Sequence, residues 1–131
     1  MNRQTIKWGF IAAGAMNIGG VLLFSRAFTN SVINQTDPVV MSNFGLMMIA
    51  VWGLAYLGAS TIQSNIRWLA GAFALEKLVY VVTWLSWFSQ NSLGDVYDKD
   101  LFAGIFYTIY GANDLIFMLF FALVFWAQRN R

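Results

Sequence analysis

The chain has no cysteine, no histidine and one proline, and charged side chains make up only 11% of its 131 residues. Without cysteine there is no disulfide, no thiolate nucleophile and no iron–sulfur cluster. Without histidine there is no histidine-ligated haem, no imidazole proton relay and no serine hydrolysis on a histidine base, and the commonest transition-metal ligand is missing. No cofactor and no metal are expected. Eight basic and six acidic residues are too few to cover a globule of this length. The net charge of +2 is divided between the chain ends and short turns, so it reports topology rather than a nucleic-acid partner.

What is present is apolar: 59% hydrophobic residues and 18% aromatic ones, the composition of an integral membrane protein. A helical crossing of the hydrocarbon core takes about 20 residues, so the length allows four spans with short loops and no separate soluble domain. The apolar stretches run over approximately 6–28, 39–60, 66–88 and 101–128. They are too long, and too apolar on all sides, for the alternating strands of a β-barrel. The expected fold is all-α, a single antiparallel four-helix transmembrane bundle over 1–131. The polar breaks at 29–38, with Pro38, at 61–65 and at 89–100 read as loops, and the Asp95, Asp98, Asp100 run as a solvated one. Basic residues precede the first apolar run, yet that run exceeds a signal core and no small-residue cleavage site follows, so a retained helix is expected.

Orientation follows from the basic residues. Arg3, Lys7, Arg67, Arg129 and Arg131 fall on the side of the termini, and Arg26 and Lys99 on the other with Asp37, Asp95, Asp98 and Asp100. The positive-inside rule then puts both termini in the cytoplasm, in a membrane of the bacterial inner type. Trp8, Trp68 and Trp126 belong near that boundary, Trp87 near the opposite one, and Arg26 should snorkel outward.

Five residues break the apolar pattern near the span midpoints: Asn17, Glu76, Lys77, Asn113 and Asp114. A charge there costs about 2.5–3.5 kcal/mol on insertion scales, so each requires a partner. Two acids and one base share this depth. The expected pair is Lys77 with Asp114, leaving Glu76 protonated or held by Asn17, Asn113 or a tyrosine. Neighbours on a helix point about 100° apart, so Glu76 and Lys77 address different surroundings. Tyr107, Tyr110 and Asp114 share one face of the fourth span, and Glu76, Tyr80, Thr83 and Trp87 one face of the third. The alternative is that these groups only hold helices together, each polar contact contributing about 0.6 kcal/mol. Small residues at Gly9, Ala13, Asn17 and Gly20, and at Ser42, Gly45 and Gly53, predict close packing of the first two spans. The aromatic third and fourth spans are expected to line a roomier cavity.

In length and helix count the chain resembles small four-helix bacterial membrane proteins: DoxX-like proteins, small multidrug-resistance transporters and fluoride channels. The likeness is in helix number. The transporters carry a glutamate in the first helix, where this chain has Asn17, and the run from Gly14 to Gly20 does not reproduce the glycine-rich, arginine-containing signature of the channels. The sterol-isomerase-like four-helix fold also combines buried acids with aromatics, but its histidine pattern is absent. No residue role carries over.

Three function classes fit the sequence. A binding or transport protein would hold a small lipophilic or cationic molecule among Tyr80, Trp84, Tyr107, Tyr110 and the buried acids. A membrane enzyme would move a proton on a lipophilic substrate with Glu76 or Asp114 as acid/base and Lys77 as electrophilic partner. An accessory subunit would use its midplane charges to meet a larger membrane partner, and a homodimer would help enclose a path. The first class is the primary expectation.

Overall fold

The structure, a computed structural model, describes residues 1–129; Arg131, one of the basic residues counted on the terminal side, lies outside them. Six helices follow in order: α1 (Arg3–Phe24), α2 (Ser31–Thr36), α3 (Asn43–Ala59), α4 (Arg67–Gln90), α5 (Leu93–Lys99) and α6 (Leu101–Ala127), with no strand among the described residues. Each start must satisfy backbone N–H groups that have no partner within the helix. The Asn2 side chain accepts from Thr5 N at 2.8 Å, Ser42 Oγ from Gly45 N at 3.1 Å, and Asp100 Oδ2 from Ala103 N at 2.9 Å. The start of α4 borrows a cap from the far end of the chain, Gln128 Oε1 accepting from Ile66 N at 2.8 Å.

Helices α1, α4 and α6 are long and apolar enough to cross a membrane. Helix α3 is shorter, 17 residues or about 25 Å, because residues 39–42 of the expected second span form a turn that ends in the Ser42 cap. The first span also stops early, at Phe24 rather than Phe28. Arg26, Ala27 and Phe28 take left-handed φ values of 49°, 54° and 68°, which cost non-glycine residues about 1–2 kcal/mol each. Surrounding hydrogen bonds fix the turn. Ser25 Oγ accepts from Phe28 N, and the Asn30 amide donates to Phe24 O. Asp100 accepts from Arg26 Nη2 and from Asn30 Nδ2, both at 2.8 Å. Arg26, half exposed at this end, is ion-paired, and Asp100 is a structural hub rather than part of a solvated run. The two loops expected at 29–38 and 89–100 contain the short helices α2 and α5.

Contacts along the helices run in opposite directions. Phe10 of α1 stacks on Phe121 of α6 while Phe24 meets Phe102, and Arg67 of α4 donates to Phe125 O while Trp84 lies on Gly111. The neighbours are α3 with α1, α1 with α6, and α6 with α4. Small residues decide the closest approaches, although not all of those expected. A Cβ at Gly14 would lie 2.6 Å from Leu57 and 2.8 Å from Gly53 O, whereas Gly20 faces open space. Gly111 leaves the notch that receives the Trp84 ring, so α4 and α6 pack closely and do not enclose the roomier cavity expected of them. The wider opening lies between α3 and α4 instead.

The buried side chains fall into two clusters. One holds Phe10, Tyr56, Phe73 and Phe121 towards the terminal end, and the other Trp87, Phe106, Tyr107 and Tyr110 towards the opposite end. Outward faces are apolar too, with Leu23, Leu54, Leu75, Val79 and Ile116 exposed, the pattern of helices whose solvent is lipid.

Two outcomes follow. Gly14→Leu should remove about 1–3 kcal/mol of stability by overpacking, whereas Gly19→Leu, at a position with nothing within 4 Å, should change little; thermal unfolding in detergent separates them. Burial acts to raise the Asp100 pKa, but hydrogen bonds from Arg26, Ala103 N and Asn30 outweigh it and hold the group below its ordinary 3.8. Its contribution is then full above that value and is lost as pH falls through the lowered one. The stability gap between the protein and Asp100→Asn should narrow below about pH 4, and a constant gap would contradict this linkage.

Candidate functional site

Between the two aromatic clusters lies a polar layer. Lys77 is 1% exposed and Asp114 7%, so both charges are removed from solvent. Lys77 Nζ donates to Asp114 Oδ1 and to Asn17 Oδ1, each at 2.8 Å, and lies 5.2 Å from the centre of the Tyr56 ring. Asn17 passes the connection to α3 by donating to Ile49 O at 3.0 Å, and Asn113 donates to Asp114 Oδ1 at 3.2 Å. The ammonium therefore has an anion, an amide oxygen and an aromatic face around it, partners that offset much of the cost of burying it. Such a lysine is held in place. Two of its three N–H donors are engaged inside the bundle.

Glu76 points elsewhere, as its position one residue earlier on the helix requires. Tyr56 Oη of α3 donates to Glu76 Oε1, and the half-buried carboxylate lines a groove of 580 Å³ between α3 and α4. Apolar walls are supplied by Phe44, Met48, Trp52, Leu75 and Val79, while Tyr80 and Thr83 lie above Glu76 on the same face of α4. A second, much smaller opening of 60 Å³ lies between α1 and α6, bordered by Asn17, Gly20, Tyr110, Asn113 and Asp114.

The residues singled out in the sequence thus separate into groups. Asn17, Lys77, Asn113 and Asp114 come together in one network, and Glu76 and Tyr80 share the α3–α4 groove. Tyr110 borders the small α1–α6 opening, and its buried hydroxyl has no hydrogen-bond partner among the described residues. Trp84 and Tyr107 are not at either opening. Trp84 Nε1 donates to Tyr107 O at 2.7 Å, and Tyr107 Oη donates to Ile33 O at 2.8 Å beneath the stacked Trp87 ring, so both fasten elements together. Tyr56 was not singled out in the sequence. Its signal was a phenol in an otherwise apolar span, whose hydroxyl needs a partner once buried.

No family model, curated protein or solved structure matches the chain. The functional reading therefore rests on the chemistry of these two polar groups.

The network makes a specific demand on stability. Lys77→Met should cost about 3–5 kcal/mol by leaving Asp114 charged and buried alone, and adding Asp114→Asn should return most of that loss. Additive losses in this cycle, measured by thermal unfolding in detergent, would break the assignment of the pair.

Proposed function

We propose that the chain is an integral membrane protein that binds a small lipophilic cation, admitted from the bilayer through the groove between α3 and α4. In this reading α1, α3, α4 and α6 all lie in the membrane, α3 bridging the thinner path with its flanking turn. Both termini face the cytoplasm of a bacterial-type inner membrane, a placement supported by Arg3, Lys7, Arg67 and Arg129 at that end and Asp37, Asp95, Asp98 and Asp100 at the other.

The observation that carries the proposal is the division of labour between two adjacent residues. Lys77 is neutralised inside the bundle by Asp114, whereas Glu76 has a phenol for a partner, no ion pair among the described residues, and a laterally open apolar groove beside it. A carboxylate in such a place costs free energy unless something offsets it. A bound ammonium or a delocalised cation would do so, with Trp52 and Tyr80 offering ring faces to the charge. The groove is wide enough for a ligand of drug-like size, and its walls suit a molecule already dissolved in lipid. Transport would require the ligand to pass from this groove to the far side. Binding alone requires only the groove.

The test uses tetraphenylphosphonium and the detergent-purified protein, followed by isothermal titration. Saturable binding is expected, weakened at least about tenfold in Glu76→Gln and several-fold in Trp52→Ala. Absence of saturable binding, or affinity unchanged in Glu76→Gln, would sink the reading.

A further inference from the structure

At the end of the bundle that carries the termini, the first turns of α1 and the segment joining α3 to α4 enclose a cavity of 310 Å³. A water molecule occupies about 30 Å³ in the liquid, so this space is several times larger than one hydration site. Its composition is divided by depth. The buried wall is formed by Ile6, Phe10, Ala59 and Ile66 with one polar member, Gln128, and the outer part carries Arg3, Lys7, Ser60, Thr61, Gln63 and Ser64.

Charge at this end is of one sign. Arg3 and Lys7 border the cavity, Arg67 and Arg129 follow its lining residues Ile66 and Gln128 in the chain, and no acidic side chain lies in the segments that form it. Among the described residues neither Arg3 nor Lys7 is in an ion pair; Arg26 and Lys77, by contrast, each have an aspartate. The hydroxyls of Ser60 and Thr61 donate to Leu57 O and Gly58 O within the turn, which fixes the segment that faces the two cations. Exposed Trp8, Trp68 and Trp126 surround the same end, as expected where a bundle meets the headgroup layer.

We propose that this cavity binds the phosphate of an anionic phospholipid, with Arg3 and Lys7 pairing with the phosphodiester and the apolar part of the buried wall receiving the glycerol end of an acyl chain. Basic pockets between helices on the cytoplasmic side are suited to such headgroups, and cations with no acid beside them remain available to an incoming anion. The proposal depends on the membrane location given above but not on the Glu76 groove, and the two fail separately: tetraphenylphosphonium reads one, phosphate the other.

The experiment titrates dioctanoyl phosphatidylglycerol, dioctanoyl phosphatidylcholine and inorganic phosphate, each alone, into the detergent-purified full chain and follows the unfolding midpoint. Phosphatidylglycerol should raise the midpoint saturably and phosphatidylcholine should not. Arg3→Gln combined with Lys7→Gln should weaken the apparent affinity by about tenfold or more. Lys7→Gln alone should weaken it, whereas Lys99→Gln, which removes the same charge at the opposite end, should leave it unchanged. Both basic side chains are exposed, so these variants keep the fold. An equal response to phosphatidylcholine, a response retained in the double variant, or an equal loss in Lys99→Gln would overturn the proposal. Inorganic phosphate acting as strongly as the lipid would overturn the lipid assignment and give the cavity to a free phosphate.

Discussion

A buried ammonium constrains this bundle from its middle outward. Lys77 is a residue of α4, yet its partners come from α1 and α6, and the partner of its partner, Ile49 O, comes from α3. Four helices are thereby registered on one side chain. Above and below this layer the core is aromatic and aliphatic, and the other deeply buried polar side chains, Ser25, Asn30 and Gln128, sit at the helix ends. Apolar packing against lipid provides little discrimination, because lipid tails are as apolar as the side chains they replace. A charge that must find its counter-ion provides a great deal, since any rotation or slip that separates Lys77 from Asp114 leaves both ions unpaired at low dielectric.

The same logic of one strong local requirement operates at the end opposite the termini. Three consecutive left-handed residues without glycine would not persist on their own. They persist because Asp100 gathers Arg26, Asn30 and the first turn of α6 onto one carboxylate. Helix α1 is stopped there, α2 starts from the Asn30 cap, and α6 starts from Asp100 itself. One half-buried carboxylate thus sets three helix ends, whereas the buried pair sets the register between helices.

Much of this was legible in the sequence, and for a definable reason. Apolar runs long enough to form the main helices are visible without any tertiary information, and a charge inside such a run is conspicuous because it has to be compensated. The inventory of two acids and one base was sufficient to single out Lys77 with Asp114. What sequence did not reveal depends on rotation about helix axes. Gly14 and Gly111 control close approaches, but glycines such as Gly19 and Gly20 in the same span face open space, and nothing in the spacing distinguishes them. Tyr56 is in the same class: its value comes from facing Glu76 across an interhelical gap. The early end of α1 was hidden because Arg26, Ala27 and Phe28 are ordinary residues held in unusual backbone by local bonds from Ser25 and Asn30 together with Asp100, seventy or more positions away.

The placement of Glu76 follows from that of Lys77. Once the lysine is turned inward to meet Asp114, the helix geometry rotates Glu76 by about 100° towards α3, and it has no freedom to join the pair. The gap between α3 and α4 then has an acid on its wall whether or not packing favours one there. Helices α3 and α4 meet there through side chains, Tyr56 on Glu76 and the Trp52 and Tyr56 rings on Phe73, and the groove beside those contacts is lined by Trp52 and Tyr80. Tyr56 satisfies one carboxylate oxygen and leaves the other without a hydrogen-bond partner among the described residues. That unspent acceptor, at the edge of an apolar groove, is the feature that makes a positively charged lipophilic ligand a better physical match than a neutral one.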